Sequence, residues 1–176
     1  MKYYVLSHEY TVADLHDFPR FIGAFSTKAM VESALAEYRA LPGFCDWSDG
    51  FHIDWRTVDN PSWSEGFLYP HPTGQIRASQ SPRSSTFVAA PGEGEVGSSS
   101  PLTHPAPSSV YCLRHEYTDQ THASVFFIDL CSSREKAEDT VQQYQFLPGF
   151  RVWPNGFIIE EWPIDKPCWR AGFQHS

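Results

Sequence analysis

"LPGFCDWSDGFHID", residues 41–54, returns as "LPGFRVWPNGFIIE" at 147–160, and that return decides how the whole chain is read. Working outward from it, "YVLSHEYT" (4–11) meets "YCLRHEYT" (111–118) and "FIGAFST" (21–27) meets "FIDLCSS" (127–133). Beyond it, "DNPSWSEGF" (59–67) meets "DKPCWRAGF" (165–173). The matches keep their order and, apart from a one-residue gap between Thr11 and Phe21, their spacing. That is the signature of a duplicated unit. The chain therefore divides into a first module, 1–67, and a second, 110–176. The segment between them, 68–109, is dense in Pro, Ser, Gly and Ala, has no apolar periodicity, and reads as a disordered linker.

Within each module, residues 3–10 and 110–117 alternate as a strand does. One face repeats completely: Tyr4, Leu6, His8 and Tyr10 become Tyr111, Leu113, His115 and Tyr117. A second strand is expected over 19–25 and 125–131, with Ile22 and Ile128 inward. Phe21, Phe25 and Phe127 then turn to the opposite face. Ser26 and Ser132 are expected to cap a helix, with Ser132-Ser133-Arg134-Glu135 fitting a capping box. Its apolar stripe is Val31, Leu35 and Tyr38, repeated as Ala137, Val141 and Tyr144. Leu-Pro-Gly-Phe ends the helix, because Pro disfavours helical geometry at the residue before it and Gly accepts positive φ. A polar turn (Ser48-Asp49-Gly50, Pro154-Asn155-Gly156) leads to a third strand with Ile53 and Ile159 inward. Each copy closes on Pro-x-Trp-x-x-Gly-Phe, read as an aromatic clasp over a sheet edge. The fold class is α+β: two tandem β-β-α-β modules, each a three-stranded antiparallel sheet with one helix. One helix covers one sheet face only, and a unit this small is marginal alone. The faces carrying Phe21 and Phe127 are thus expected to dock on each other, or on a partner.

The combination Y-x-L-x-H-E-Y, LPGF, G-F-x-I and W-x-x-G-F resembles a family of small bacterial domains of unknown function. The resemblance covers both copies but not the linker. It implies the fold and carries no activity. The longer loop "TVADLHDFPR" departs from the pattern in the first copy.

Net charge is −8, from 13 Lys and Arg against 21 Asp and Glu. Sequence-independent nucleic-acid binding needs clustered cations and is not expected, nor is an anionic membrane surface. No apolar run is long enough to span a bilayer, and "MKYYVLSHEY" lacks the apolar core of a signal peptide. The four cysteines, Cys45, Cys112, Cys131 and Cys168, show no metal spacing and fit a reducing, cytoplasmic setting. Cys112 and Cys131 fall on neighbouring strands, where a bridge is geometrically open.

The recurring pairs His8-Glu9 and His115-Glu116 are the first candidates for chemistry. Adjacent strand residues point to opposite faces, so one pair does not chelate a metal. A neutral His bonded to a loop competes with a general acid–base role. Trp63 and Trp169 are either core or a stacking surface for a ligand. No GxSxG, CxxC, HExxH or phosphate-loop pattern occurs, and no cofactor is expected. Acidic residues gather in the first copy, at Asp14, Asp17, Asp46, Asp49 and Asp54. The reading these features favour is a non-enzymatic protein-binding module of the immunity or adaptor type, with a basic partner. Its binding residues are drawn from His8, Glu9, His115, Glu116, Phe21, Phe127, Trp63 and Trp169. The alternative is a small-ligand sensor with a pocket between the copies. An enzyme would need a constellation assembled across both modules.

Overall fold

The computed structural model describes residues 1–12, 15–16, 19–67, 107–118 and 123–173. The expected linker lies largely outside the described residues, as do Asp14 and Asp17. In chain order the first half runs β1 (Lys2–His8), the short strands β2 (Thr11–Val12) and β3 (Leu15–His16), β4 (Arg20–Phe25), α1 (Lys28–Tyr38) and β5 (Phe51–Thr57). The second half runs β6 (Ser109–Thr118), β7 (Ala123–Cys131), α2 (Arg134–Tyr144) and β8 (Phe157–Pro163). Two similar three-stranded antiparallel sheets result, ordered β4-β1-β5 and β7-β6-β8. The extra pair β2-β3 occupies the longer loop of the first copy.

Alternation in the central strands separates two buried layers. Leu6, Ile22, Phe25, Val31, Tyr38 and Phe44 form the core under α1, and Leu113, Ile128, Cys131, Ala137, Tyr144 and Phe150 form its counterpart under α2. The opposite faces meet: Tyr3, Val5 and Ala24 pack with Val110, Cys112, Leu130 and Trp162, flanked by Phe21 and Phe127. The two phenylalanine rings lie 5.5 Å apart. The layers therefore run helix, sheet, sheet, helix.

Several local expectations shift. The register of β1 on β4 slips at Leu6/Ser7, and that of β6 on β7 at Leu113/Arg114, so each second strand carries a bulge. The extra residue reverses the alternation beyond it. Phe25 consequently packs under the helix and Ala24 takes the inter-sheet place. The same reversal sets Cys112 and Cys131 on opposite faces, and both thiols are free. The helix caps are Thr27 and Ser133, one residue later than expected; their hydroxyls accept from the amides of Met30 and Lys136. The turn before the third strand is 3-10 helical in both copies, over Cys45–Gly50 and Pro154–Gly156. Ile159 packs against its core, whereas Ile53 is 39% exposed.

Candidate functional site

The closing segments are exchanged. After β5 the chain turns at Asp59, at φ 58°, and leaves its own sheet. The Asp59 amide donates to the Leu130 carbonyl (2.8 Å), Ser62 to Ile128 (2.8 Å) and Phe67 to Pro148 (2.9 Å), all in the second module. The second copy reciprocates. Asp165, at φ 60°, donates to Ala24 (2.9 Å), Cys168 to Ile22 (2.7 Å) and Phe173 to Pro42 (3.0 Å). The Tyr38 hydroxyl also donates to the Cys168 carbonyl. Each clasp thus lines the outer edge of the other copy's second strand and plugs the other copy's core.

Two serines explain the displaced caps. The Asp165 carboxylate accepts from the Ser26 amide (2.8 Å) and hydroxyl (2.7 Å). Asp59 accepts both groups of Ser132 at 2.9 Å, and Lys136 Nζ at 2.6 Å. Ser26 and Ser132 therefore anchor the foreign clasp, leaving the next hydroxyl to cap the helix. The repeated Leu-Pro-Gly-Phe gains a second meaning here. Gly43 and Gly149 both sit at φ 82°, and a Cβ on either would collide with the carbonyl of Phe173 or Phe67. Only glycine admits the incoming phenylalanine so closely.

The candidate histidines lie beneath these plugs. His8 and His115 are fully buried. His8 Nε2 donates to the Trp47 carbonyl (2.9 Å) and His115 Nε2 to the Trp153 carbonyl (2.8 Å). A carbonyl only accepts, so the proton sits on Nε2 in both. Burial pulls the His115 pKa below its ordinary value, despite the Trp153 bond and nearby Glu116, which act the other way. Phe44 and Phe51 ring His8, and Phe150 and Phe157 ring His115. The histidines sit in separate cores, and the contact between the sheets is an apolar layer, so the two do not line a shared pocket. Glu9 is exposed, while Glu116 accepts from Arg114 Nε at 2.8 Å.

Matched positions in the two copies do not behave alike. Trp63 Nε1 donates to the Phe127 carbonyl (3.1 Å), and the ring packs on Phe126. Trp169, its counterpart, is 46% exposed. Arg20 stands where the second copy has Phe126, and its guanidinium covers Tyr10 and Phe173. The 3-10 segment differs in charge: Asp46, Trp47 and Asp49 in the first copy answer to Val152, Trp153 and Asn155. All three first-copy residues are exposed. A cleft of about 390 Å³ opens beside the second copy's segment, lined by Glu116, Tyr117, Trp153 and Asn155.

Among the described residues, no three His, Cys, Asp or Glu side chains gather as metal ligands do. Burial pushes the Cys131 thiol up to about 12 and Cys112 higher still, which keeps both protonated. Asp129, buried where the first copy has Gly23, is raised to about 6 by burial, although its Oδ1 accepts from the Asn60 amide at 3.2 Å. Of the described helices, none is long and apolar enough to cross a membrane. No family model, curated protein or solved structure matches the chain.

The exposed acids Asp46 and Asp49 belong to the acidic cluster legible in the sequence. Exposed Trp55 gives its signal only in the alignment, where it meets Glu161 as Asp46 meets Val152 and Asp49 meets Asn155.

Proposed function

We propose that the chain is a non-enzymatic, protein-binding scaffold of two β-β-α-β modules, the first carrying a small hairpin insertion, and that its partner is basic. The observation that carries this reading is the 3-10 segment of the first copy. At one place in one module, the first copy presents Asp46, Trp47 and Asp49 at the surface, and the second presents Val152, Trp153 and Asn155. Core packing does not require the difference, because Phe44 and Phe150 fill the same role beside both segments. An exposed aromatic flanked by carboxylates suits a cationic surface, with the ring supplying contact area and the acids supplying steering. A net charge of −8 acts in the same direction.

The location of His8 and His115 also supports binding over turnover. Each is enclosed and spends its one N–H on a backbone carbonyl. An adaptor or immunity-type role, in a bacterial cytoplasm and in the family the motifs resemble, is the setting this chemistry fits. Affinity capture from the native cell tests it, with wild type compared against Asp46→Asn/Asp49→Asn. The expected result is a basic protein retained at low salt, released by raised salt and lost in the variant. Retention of the same proteins by both baits would contradict the reading.

A further inference from the structure

Strand β5 ends its sheet with an open edge. The opposite edge, on β4, is taken by the exchanged segment through Ala24 and Ile22, but among the described residues nothing pairs with the outside of β5. The bonds Glu9 N to Gly50 O and Val58 N to Met1 O (each 2.9 Å) fix which residues face which way. Antiparallel pairing alternates, so the even-numbered residues of β5 turn their backbone groups toward β1. Phe51, Ile53, Trp55 and Thr57 present theirs outward. Trp55 is 59% exposed, with Lys2 Nζ 4.3 Å above its ring.

The second copy shows the same edge blunted. In β8, Pro163 stands in the place of Thr57 and has no N–H to offer, and Glu161 stands in the place of Trp55. Glu160 is clamped by Arg114. Proline and charge on an edge strand are the usual defences against pairing with another strand. β5 lacks the proline and puts tryptophan in place of the acid.

We propose that β5 pairs antiparallel with β5 of a second copy of this chain, about a twofold axis at Trp55. The charges select that occupant and that register. Outward-facing residues must pair with outward-facing residues, so the register moves in steps of two. Centred on Trp55, Asp54 faces Arg56 of the second copy and Arg56 faces its Asp54. Both are non-hydrogen-bonded pairs, where side chains approach most closely. One step to either side puts Asp54 against Asp54 or Arg56 against Arg56. Within one chain the two groups already lie 3.8 Å apart and partly exposed, with the Arg56 guanidinium also 5.0 Å from the Phe127 ring. Exchange across the axis turns Arg56 from its own Asp54 to that of the second copy. The contact is isologous, as a closed dimer requires. It is also small, so dissociation in the range of roughly 10–100 µM is expected. The acidic segment at Asp46 and Asp49 takes no part, and this inference stands or falls separately from the binding of a basic partner.

Sedimentation velocity on the full chain, from about 5 to 500 µM, reads the equilibrium directly. Wild type should pass from monomer to dimer. Asp54→Arg alone and Arg56→Asp alone each set like charges across the axis and should weaken dimerisation at least about tenfold. An equimolar mixture of the two variants restores both opposite-charge pairs and should dimerise again. Trp55→Glu, at an exposed position, should stay monomeric with unchanged thermal unfolding. A wild type that remains monomeric throughout overturns the proposal. So does a dimer indifferent to the single variants, or a mixture that fails to reassociate.

Discussion

The ring of Phe173 meets that of Phe44 edge to face, centroids 4.7 Å apart at 89°, and Phe67 meets Phe150 at 4.9 Å and 90°. The last aromatic residue of each copy completes the core of the other. Neither core is closed by its own module.

Phe173→Ala and Phe67→Ala should therefore each destabilise the whole chain, by about 3 kcal/mol, the usual cost of emptying a buried phenylalanine site. Urea unfolding followed by far-ultraviolet circular dichroism measures it. Loss of Phe173 should lower a single transition; early melting of the second module alone would show that the exchange is not structural.

Asp129 supplies a pH dependence. Its carboxyl titrates near 6 in the fold against an ordinary value of 3.8, so between those values the folded chain holds the extra proton. Stability from this group is thus fully present below about pH 4 and lost as pH rises through 6, by up to about 3 kcal/mol. His115 opposes it, since its neutral form is favoured in the fold and acid weakens that preference. Asp59 opposes it too: burial raises its pKa, but the bonds from Lys136 and Ser132 bring it below the ordinary value. The difference between wild type and Asp129→Asn isolates the term. The variant should gain stability at pH 7 and little at pH 4. An equal effect at both would place the carboxylate in solvent.

The two closing tryptophans should separate. Trp63→Ala loses a hydrogen bond to Phe127 and the packing on Phe126, and should cost about 2–4 kcal/mol. Trp169→Ala removes a side chain nearly half exposed, touched by Arg20 at 5.8 Å, and should cost less than about 1 kcal/mol. Equal melting-temperature losses would contradict the asymmetry between the copies.

The repeat, the strand faces and the burial of Phe21 against Phe127 were legible because period-two alternation and internal matching are local signals. The bulges were not. A single extra residue at Ile22 or Ile128 leaves composition unchanged yet turns Phe25 and Cys131 to the other face. The sequence marks the clasps as clasps, but not their exchange. Pro-x-Trp-x-x-Gly-Phe has the same chemistry whichever sheet it covers, and its direction is set by positive φ at Asp59 and Asp165, held by serines in the other copy. Ser26 and Ser132 read as helix caps for the same reason, since a serine beside another hydroxyl does not reveal which one caps. A histidine bonded to a loop is legible at His8 and His115, but their enclosure by the other copy's phenylalanine depends on the exchange.

Cutting the connection between the modules tests the central claim most directly. A protease site placed within residues 74–100 severs the chain without touching either clasp. If each module is completed by the other, the fragments should remain a 1:1 complex through gel filtration and unfold together in one transition, and each alone should fail to fold. Two separate, folded, monomeric fragments would contradict the account.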